Sequence, residues 1–402
     1  MAQRIKHIVC AMSGGVDSSV AALLLKSQGF RVTGLFMRNW DALDETGVCA
    51  ADKDEEDAQH VCDKLNIPFH QVNFVKEYWH DVFSEMLRQY QGGITPNPDI
   101  LCNKFIKFDR LLQYSRETLG GDALATGHYA RTDAGDQILE DSWHSNPHPV
   151  KLLQAVDSIK DQTFFLSQIS QHALQRTLFP IGDLTKAVVK EMAARAGLQR
   201  IVKRKESMGI CFIGTRKFKN FIQEYVEPKP GNFVSIEDNK VVGKHKGQFL
   251  YTVGQKAKIA GMKEKWYIVD KNTSSNDIIV APNTNHPALF CETMFTGPVH
   301  WIHEAPRQLL QEQMLDCDFR FQNTDPLVRC TLTLSSIGSV IVSLSQPLRA
   351  ITPGQYAVFY LGEECLGGAI ILKPGPSLHV LNRKDYNTKE LRIPTAQQGT
   401  ES

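Results

Sequence analysis

Apolar and polar positions alternate in blocks along the first 127 residues. A short apolar run, Ile5 to Cys10, reads as a strand, and after a glycine turn the Ala/Leu-rich Val20 to Leu25 reads as a helix. Arg31 to Met37 predicts a second strand and Ile67 to Phe74 a third. Between them, Asp52 to Leu65 predicts a helix whose leading acids suit its dipole. Tyr78 to Tyr90 predicts a further helix, and Asp122 to Gly127 a buried strand ending in glycine. Such alternation implies an α/β fold with a mainly parallel, doubly wound sheet that binds ligands at the carboxyl ends of its strands. Ser13, Met37 and Gly127 all fall at such ends.

Residues 128–160 are irregular and rich in His, Asp and Pro, which predicts a surface excursion. Helical patterning returns at Asp183 to Ala196, with Asp183 as N-cap. After Pro228-Lys229-Pro230-Gly231 short β-rich runs take over: 232–236, 248–253, 266–269 and 277–280. Asn285-His286-Pro287 marks another boundary, followed by strands at 328–334, 339–344 and 355–360. Two small β-barrels accommodate these runs. The expected division is a catalytic domain at 1–225, a central β domain at 226–288, a C-terminal β-barrel at 289–378 and a polar, disordered tail at 379–402.

Composition narrows the function classes. Of the 402 residues 42% are hydrophobic and 22% charged, and no tract is long enough to span a bilayer. Net charge is only +1, so nucleic-acid contact must come from local clusters such as Lys203-Arg204-Lys205. Nine scattered cysteines do not resemble a secreted disulfide framework, show neither a Cys-x-x-Cys pair nor zinc spacing, and read better as reduced thiols. No metal cage made of protein ligands is expected. The first 16 residues contain Arg4, Lys6 and His7 but no acid, faintly like an import signal. Because the first strand begins near Ile5, no cleavable leader is expected.

Three stretches carry candidate chemistry. Ala11-Met12-Ser13-Gly14-Gly15-Val16-Asp17-Ser18 joins the first strand to the first helix. Its glycines let the backbone approach an anion, and the helix N-terminus points N–H groups at it. No Gly-Lys-Ser/Thr completes a Walker A loop. The stretch resembles instead the pyrophosphate loop, SGGxDS, of the PP-loop ATPases, which cleave ATP between its α and β phosphates.

The second stretch runs from Thr95 to Asn103. Its two prolines stiffen a loop, and Cys102 stands just before a helix predicted to begin near Asn103. A thiol at a helix N-terminus is stabilised as thiolate, and Asp99 is placed to accept its proton. A buried structural cysteine is the commoner use of such a residue. The third stretch, Lys203 to Gly214, leads a basic run through Gly209 to Cys211. Cys10, Cys62, Cys291, Cys317, Cys330 and Cys365 sit in apolar settings and read as packing residues, as do Trp40, Trp266 and Trp301.

Taken together, these stretches with Gly34 to Trp40, Ala125 to Arg131, Lys160 to Leu166 and Thr352 to Gln355 resemble the tRNA-specific 2-thiouridylases, in their mitochondrial animal branch. The likeness covers about residues 5–375. It implies a PP-loop ATPase domain of the adenine nucleotide alpha hydrolase type followed by two small β-barrels. It also implies an ATP site on Ala11, Met12, Ser13, Gly14, Gly15, Val16, Asp17, Ser18, Met37 and Gly127, with Mg²⁺ accompanying ATP. Cys102 and Cys211 become the active cysteines and Asp99 the acid/base. Asn97, Pro98 and Asp99 contact the target uridine. His128, Lys160, Asp161, Gln162, Arg320, Phe321 and Gln355 contact tRNA. Two departures from bacterial members are Phe321, where Tyr is usual, and Glu206, where Asp is usual.

The implied reaction is ATP-dependent 2-thiolation of the wobble uridine, with persulfide sulfur from a relay donor or cysteine desulfurase system. Either a persulfide on Cys211 attacks C2, or Cys102 releases hydrosulfide and ends disulfide-bonded to Cys211. The second route requires α carbons within about 7 Å. A monomer in mitochondria is expected. Two other readings use the same residues: PP-loop chemistry on another acceptor, which the paired cysteines disfavour, and a tRNA-binding module without catalysis.

Overall fold

The computed structural model describes residues 6–41, 50–140, 143, 148–204, 218–335 and 337–382. Cys211, Glu206, Lys205, Cys49 and the polar tail beyond 382 lie outside the described residues. Among the described residues, no helix is long and apolar enough to cross a membrane.

The N-terminal domain is built on five parallel strands in the order β3-β2-β1-β4-β7. They are β1 (His7–Met12), β2 (Arg31–Arg38), β3 (Phe69–Asn73), β4 (Ala123–Ala125) and β7 (Thr177–Leu178). Ile8, Val9 and Cys10 of β1 are fully buried, as expected of a central strand covered on both faces. With β2 on one side and β4 on the other, β1 is the point where strand order reverses, and its carboxyl end opens a crevice. Helix α1 (Val16–Ser27) leaves that end directly, and α2 (Ala50–Leu65) covers β2.

Several local expectations need correction. The helix expected from Asn103 already begins at Pro98 and continues, with a wide turn over Asn103–Leu111, to Glu117. Asn97 caps it by accepting from the Ile100 N–H at 3.3 Å, and Pro98 needs no donor at the first helical position. Thr185, not Asp183, precedes the Lys186–Arg195 helix as its cap. Residues 248–250 form a 3₁₀ turn rather than a strand, held by Gln248, whose amide donates to the carbonyls of Asn272 and Asp277.

The excursion at 128–160 is only partly a surface feature. It contributes β5 (Arg131–Thr132) and β6 (Leu152–Leu153), and β6 pairs with β19 (Glu364–Pro374) of the C-terminal domain. That domain closes as a six-stranded barrel, β13 (Phe290–Pro298), β17 (Ser339–Arg349), β16 (Val328–Leu334), β15 (Met314–Arg320), β18 (Tyr356–Leu361) and β19, which returns to β13. Closure leaves no free sheet edge. The central domain is an open half-barrel of β10 (Lys256–Ala257), β11 (Trp266–Asn272), β12 (Asp277–Pro282), β8 (Gly231–Ser235) and β9 (Val241–His245). The two β domains have separate hydrophobic cores.

Candidate active site

Glycine chemistry shapes the loop after β1. Gly14 has φ +69°, and a β carbon there would lie 2.4 Å from the Asp54 carbonyl oxygen, so only glycine fits. Gly15 precedes α1 in an extended conformation, and no side chain caps the helix. Ser18 fastens the loop, its Oγ donating to the Gly15 carbonyl at 3.1 Å and accepting from the Ser13 N–H at 3.2 Å. An exposed serine, two glycines and an uncapped helix start present a cradle whose free donors suit an anion.

The other strand ends come up against this loop. Gly127 packs so closely on α1 that a β carbon would sit 2.5 Å from the Ser18 nitrogen. Met37, the penultimate residue of β2, is half-buried. The carboxylate of Asp17 accepts from the Tyr129 hydroxyl at 2.9 Å, and both its oxygens lie 2.8 Å from Lys186 Nζ. Lys186 had no signal in the sequence beyond its place in the first turn of a helix. Its role follows from the fold, which carries that helix back onto α1.

The basic run was expected to face nucleic acid, but Arg204 turns inward. It pairs with Asp54 and with Asp57, the latter at 3.0 Å, and donates to the Gly14 carbonyl at 3.2 Å. The acids of α2 thus hold, through Arg204, the back of the glycine loop. Cys211 lies seven residues further along the chain.

The helix that starts at Pro98 supplies the second half of the site. Asp99 and Cys102, three residues apart, share one face of it. Cys102 is buried, in the second turn and not at the N-terminus, so the dipole argument for an activated thiolate weakens. Burial raises the pKa of Asp99 above the usual carboxylate range, partly offset by the Lys107 cation. Burial, and secondarily Lys107, holds His128 well below its ordinary value, so the ring is neutral. Its Nδ1 lies 2.9 Å from Thr126 Oγ1 and its ring packs on Phe108 and Phe179. Lys107, absent from the sequence-based candidates, therefore stands within electrostatic reach of both Asp99 and His128.

The C-terminal barrel reaches this helix through Gln355. Its amide donates to the carbonyls of Thr95 and Pro96, at 2.9 and 3.1 Å, and its oxygen accepts from Asn97 Nδ2 at 3.2 Å. Gln355 thereby holds the loop ahead of Asp99. Gln162 accepts from the Tyr129 N–H at 3.0 Å, and Lys160 is half-buried nearby in sequence. Asp161, Arg320 and Phe321, expected to touch tRNA, all face protein in this structure. Asp161 accepts from the Ala155 N–H and the Thr163 hydroxyl and forms a buried ion pair with Arg320. Arg320 also donates to the Tyr360 hydroxyl and the Asn323 carbonyl. Phe321 stacks on Phe319 in the barrel core, where a missing hydroxyl removes no surface group.

Comparison with known proteins agrees with this arrangement. Residues 6–215 match the tRNA methyl transferase HUP domain, 219–282 the tRNA methyl transferase PRC-barrel domain and 291–371 the aminomethyltransferase β-barrel domain. The chain is 54% identical over 410 residues to a Gallus gallus protein named mitochondrial tRNA-specific 2-thiouridylase 1, covering 96% of this chain and 97% of that one. It is 55% identical to the Homo sapiens protein of the same name, covering 95% and 94%. A Haemophilus influenzae protein, tRNA-specific 2-thiouridylase MnmA, is 44% identical, covering 91% of this chain and 93% of its own. A nucleotide-type crevice, a cysteine helix beside it and full-length likeness to these relatives agree: the chain belongs to the tRNA-specific 2-thiouridylase family.

Proposed function

We propose that this protein replaces the C2 oxygen of the wobble uridine of tRNA with sulfur, at the expense of ATP. The observation that carries the reading is the meeting of two motifs at Gly127–His128. Gly127 abuts the phosphate-type loop, and His128 packs on Phe108 of the helix bearing Asp99 and Cys102. An enzyme that activates one atom with ATP and delivers sulfur to its neighbour needs such adjacency.

In this scheme the cradle of Ser13 to Ser18 receives the departing pyrophosphate. The uridine O2 attacks the α-phosphorus, and the P–O bond to pyrophosphate breaks. Mg²⁺ would accompany ATP and neutralise phosphate charge; Asp17, with both oxygens on Lys186 and one on Tyr129, positions the loop. A terminal sulfur carried as persulfide on Cys211 then attacks C2 and the C–O bond to AMP breaks; the Cys102 thiolate next attacks the Cys211 sulfur, the S–S bond breaks, and 2-thiouridine is released with a Cys102–Cys211 disulfide left behind. In the hydrosulfide variant Cys102 attacks the Cys211 sulfur, expels HS⁻ and leaves a Cys102–Cys211 disulfide. Asp99, with its raised pKa, is suited to proton transfer at the base. The names of the relatives support tRNA as substrate and mitochondria as the compartment. Lys, Glu and Gln tRNAs, which carry a wobble uridine, are the substrates we assign.

The test is nucleoside mass spectrometry of unmodified tRNA incubated with protein, ATP, Mg²⁺ and a persulfide donor, for wild type, Cys102→Ser and Cys211→Ser. ATP-dependent 2-thiouridine with wild type, lost in Cys211→Ser, supports the scheme. Pyrophosphate release on tRNA without thiolation means a different acceptor chemistry. Neither product from folded protein moves the binding-module reading to the front.

A further inference from the structure

The turn that leads into the helix of Asp99 and Cys102 is held from the central β domain. The Ser84–Gln91 helix ends in Gly92 and Gly93, with Gly93 at φ +75°. The Gly93 N–H donates to the Tyr90 carbonyl at 3.0 Å and the Ile94 N–H to the Gln89 carbonyl at 2.9 Å, the two bonds of a Schellman turn. A short loop then reaches Asn97, the cap of the next helix.

Lys271, near the end of β11, donates from Nζ to the Gly93 carbonyl at 2.9 Å. A β carbon on Gly93 would lie 3.0 Å from Thr273 Cγ2 and 3.2 Å from Gln248 Oε1, so central-domain side chains close over the turn. The barrel takes hold two residues on, where the Thr95 N–H donates to the Pro353 carbonyl at 3.2 Å. The central domain also touches the segment that follows Cys211. Lys219 Nζ stands 4.9 Å from the centre of the Tyr251 ring, and Phe218, beside it in sequence, packs on Tyr90 of the Ser84–Gln91 helix at 5.3 Å.

A lysine is a costly choice at this junction. Its side chain is half-buried, and burial lowers the pKa of the amine from 10.5 to about 8, offset in part by Asp270. Methionine would fill a similar volume without that penalty. What lysine adds is a donor and a cation at a helix C-terminus, where the last carbonyls lack partners. Other charged groups on the elements packed here are engaged: Asp270 accepts from the Lys271 N–H at 2.8 Å, Arg88 pairs with Glu85 at 2.6 Å, and Asp277 accepts from Asn232 at 3.1 Å.

We infer that Lys271 is a positioning residue for sulfur transfer: through Gly93 it sets where the chain enters the helix of Asp99 and Cys102, and so gives the central domain its part in the reaction. The inference deepens the proposed function and rests on it. The amine acts through the loop backbone and touches no reacting atom. The junction must respond to pH in one direction. A lysine released into water titrates near its ordinary value, so the parted junction binds the proton more tightly than the joined one. Below about pH 8 joining is nearly indifferent to pH; above it, joining is favoured progressively as the proton leaves.

The experiment is hydrogen exchange of the intact protein, read by mass spectrometry on peptides covering 92–97 from about pH 7 to about pH 9, with Lys271→Met beside wild type. Protection corrected for intrinsic exchange should change by less than about twofold between pH 7 and 8 in wild type and rise about fivefold between pH 8 and 9, as one proton with these two affinities requires. In Lys271→Met it should be lower and show no such step. The variant should also lose about tenfold in kcat for thiolation with KM for ATP unchanged, inside the roughly 10²-fold cost of a 1 Å misplacement. Flat wild-type protection across this range overturns the tie, whether or not Lys271→Met folds, and so does protection in the variant equal to wild type. A looser loop with unchanged kcat overturns the positioning role. If wild type shows the pH step but makes no 2-thiouridine, the tie stands and the thiolation reading falls.

Discussion

At the scale of single residues, the chemistry depends on side chains whose protonation the fold has shifted. Asp99 binds its proton more tightly in the folded chain than in the unfolded one, because burial disfavours the carboxylate. Between the unfolded and folded pKa values the native state therefore holds more protons, and stability falls as pH rises through that window. Asp99→Asn removes this slope. Its thermal midpoint at neutral pH should lie above that of wild type, while thiolation falls by about 10²–10⁴-fold. Calorimetry across pH beside a thiolation assay reads both. A lowered midpoint at neutral pH sinks the electrostatic account. Lys186→Met leaves Asp17 with its Tyr129 bond but no cation against its two oxygens. ATP-dependent pyrophosphate release should drop by about 10²-fold, the usual size of a lost preorganised electrostatic partner. Unchanged release on tRNA would remove Lys186 from the site.

At the scale of elements, what could be read from the chain was whatever the periodicity and turn chemistry express locally. The parallel sheet, the glycine loop and the β-rich second half followed from runs of apolar residues and their punctuation. The pattern sets the start of the Cys102 helix near Asn103 because Asn97-Pro98 also suits a loop, whereas in the fold Asn97 is the cap and Pro98 the first helical residue. Lys186 and Lys107 were silent for a different reason. Each matters through a partner far away in sequence, Asp17 for one and His128 for the other, and no local spacing encodes that. The Thr95–Asn97 loop shows the same dependence. It is held by Gln355 and packed against Gly354, whose φ is +91° and whose added β carbon would lie 2.2 Å from Ile94 Cγ2. Gly354→Ala should cost about 1–3 kcal/mol through strain and overpacking, and raise KM for tRNA more than it lowers kcat. Denaturant titration and steady-state kinetics test this; wild-type values in both would show that the loop is held by other contacts.

At the scale of the molecule, the catalytic domain and the barrel share a buried polar junction. Asp161, Thr163, Tyr360 and Arg320 bond one another across it, and Arg320 is 5% exposed. Removing one charge strands the other, so Arg320→Met should destabilise by about 3–5 kcal/mol. Replacing both, as Asp161→Leu with Arg320→Met, should recover much of that. Urea midpoints of the two variants decide it, and equal losses would mean the pair itself contributes little. Resemblance assigned both residues to the RNA surface. Only the packing of the barrel against residues 155–163 shows them enclosed, which is a property of two distant segments and not of either motif.

The pairing of β6 with β19 bears on how this chain can be divided. A cut in the linker after Pro282 severs one covalent connection, but the Leu152–Leu153 strand remains stitched to Glu364–Cys365. Proteolytic nicking there should leave two fragments that co-elute, and a truncation ending near residue 282 should expose the edge of β6 together with the lone carboxylate of Asp161. The barrel is thus poorly suited to being exchanged as a cassette between homologues unless the 131–163 segment travels with it.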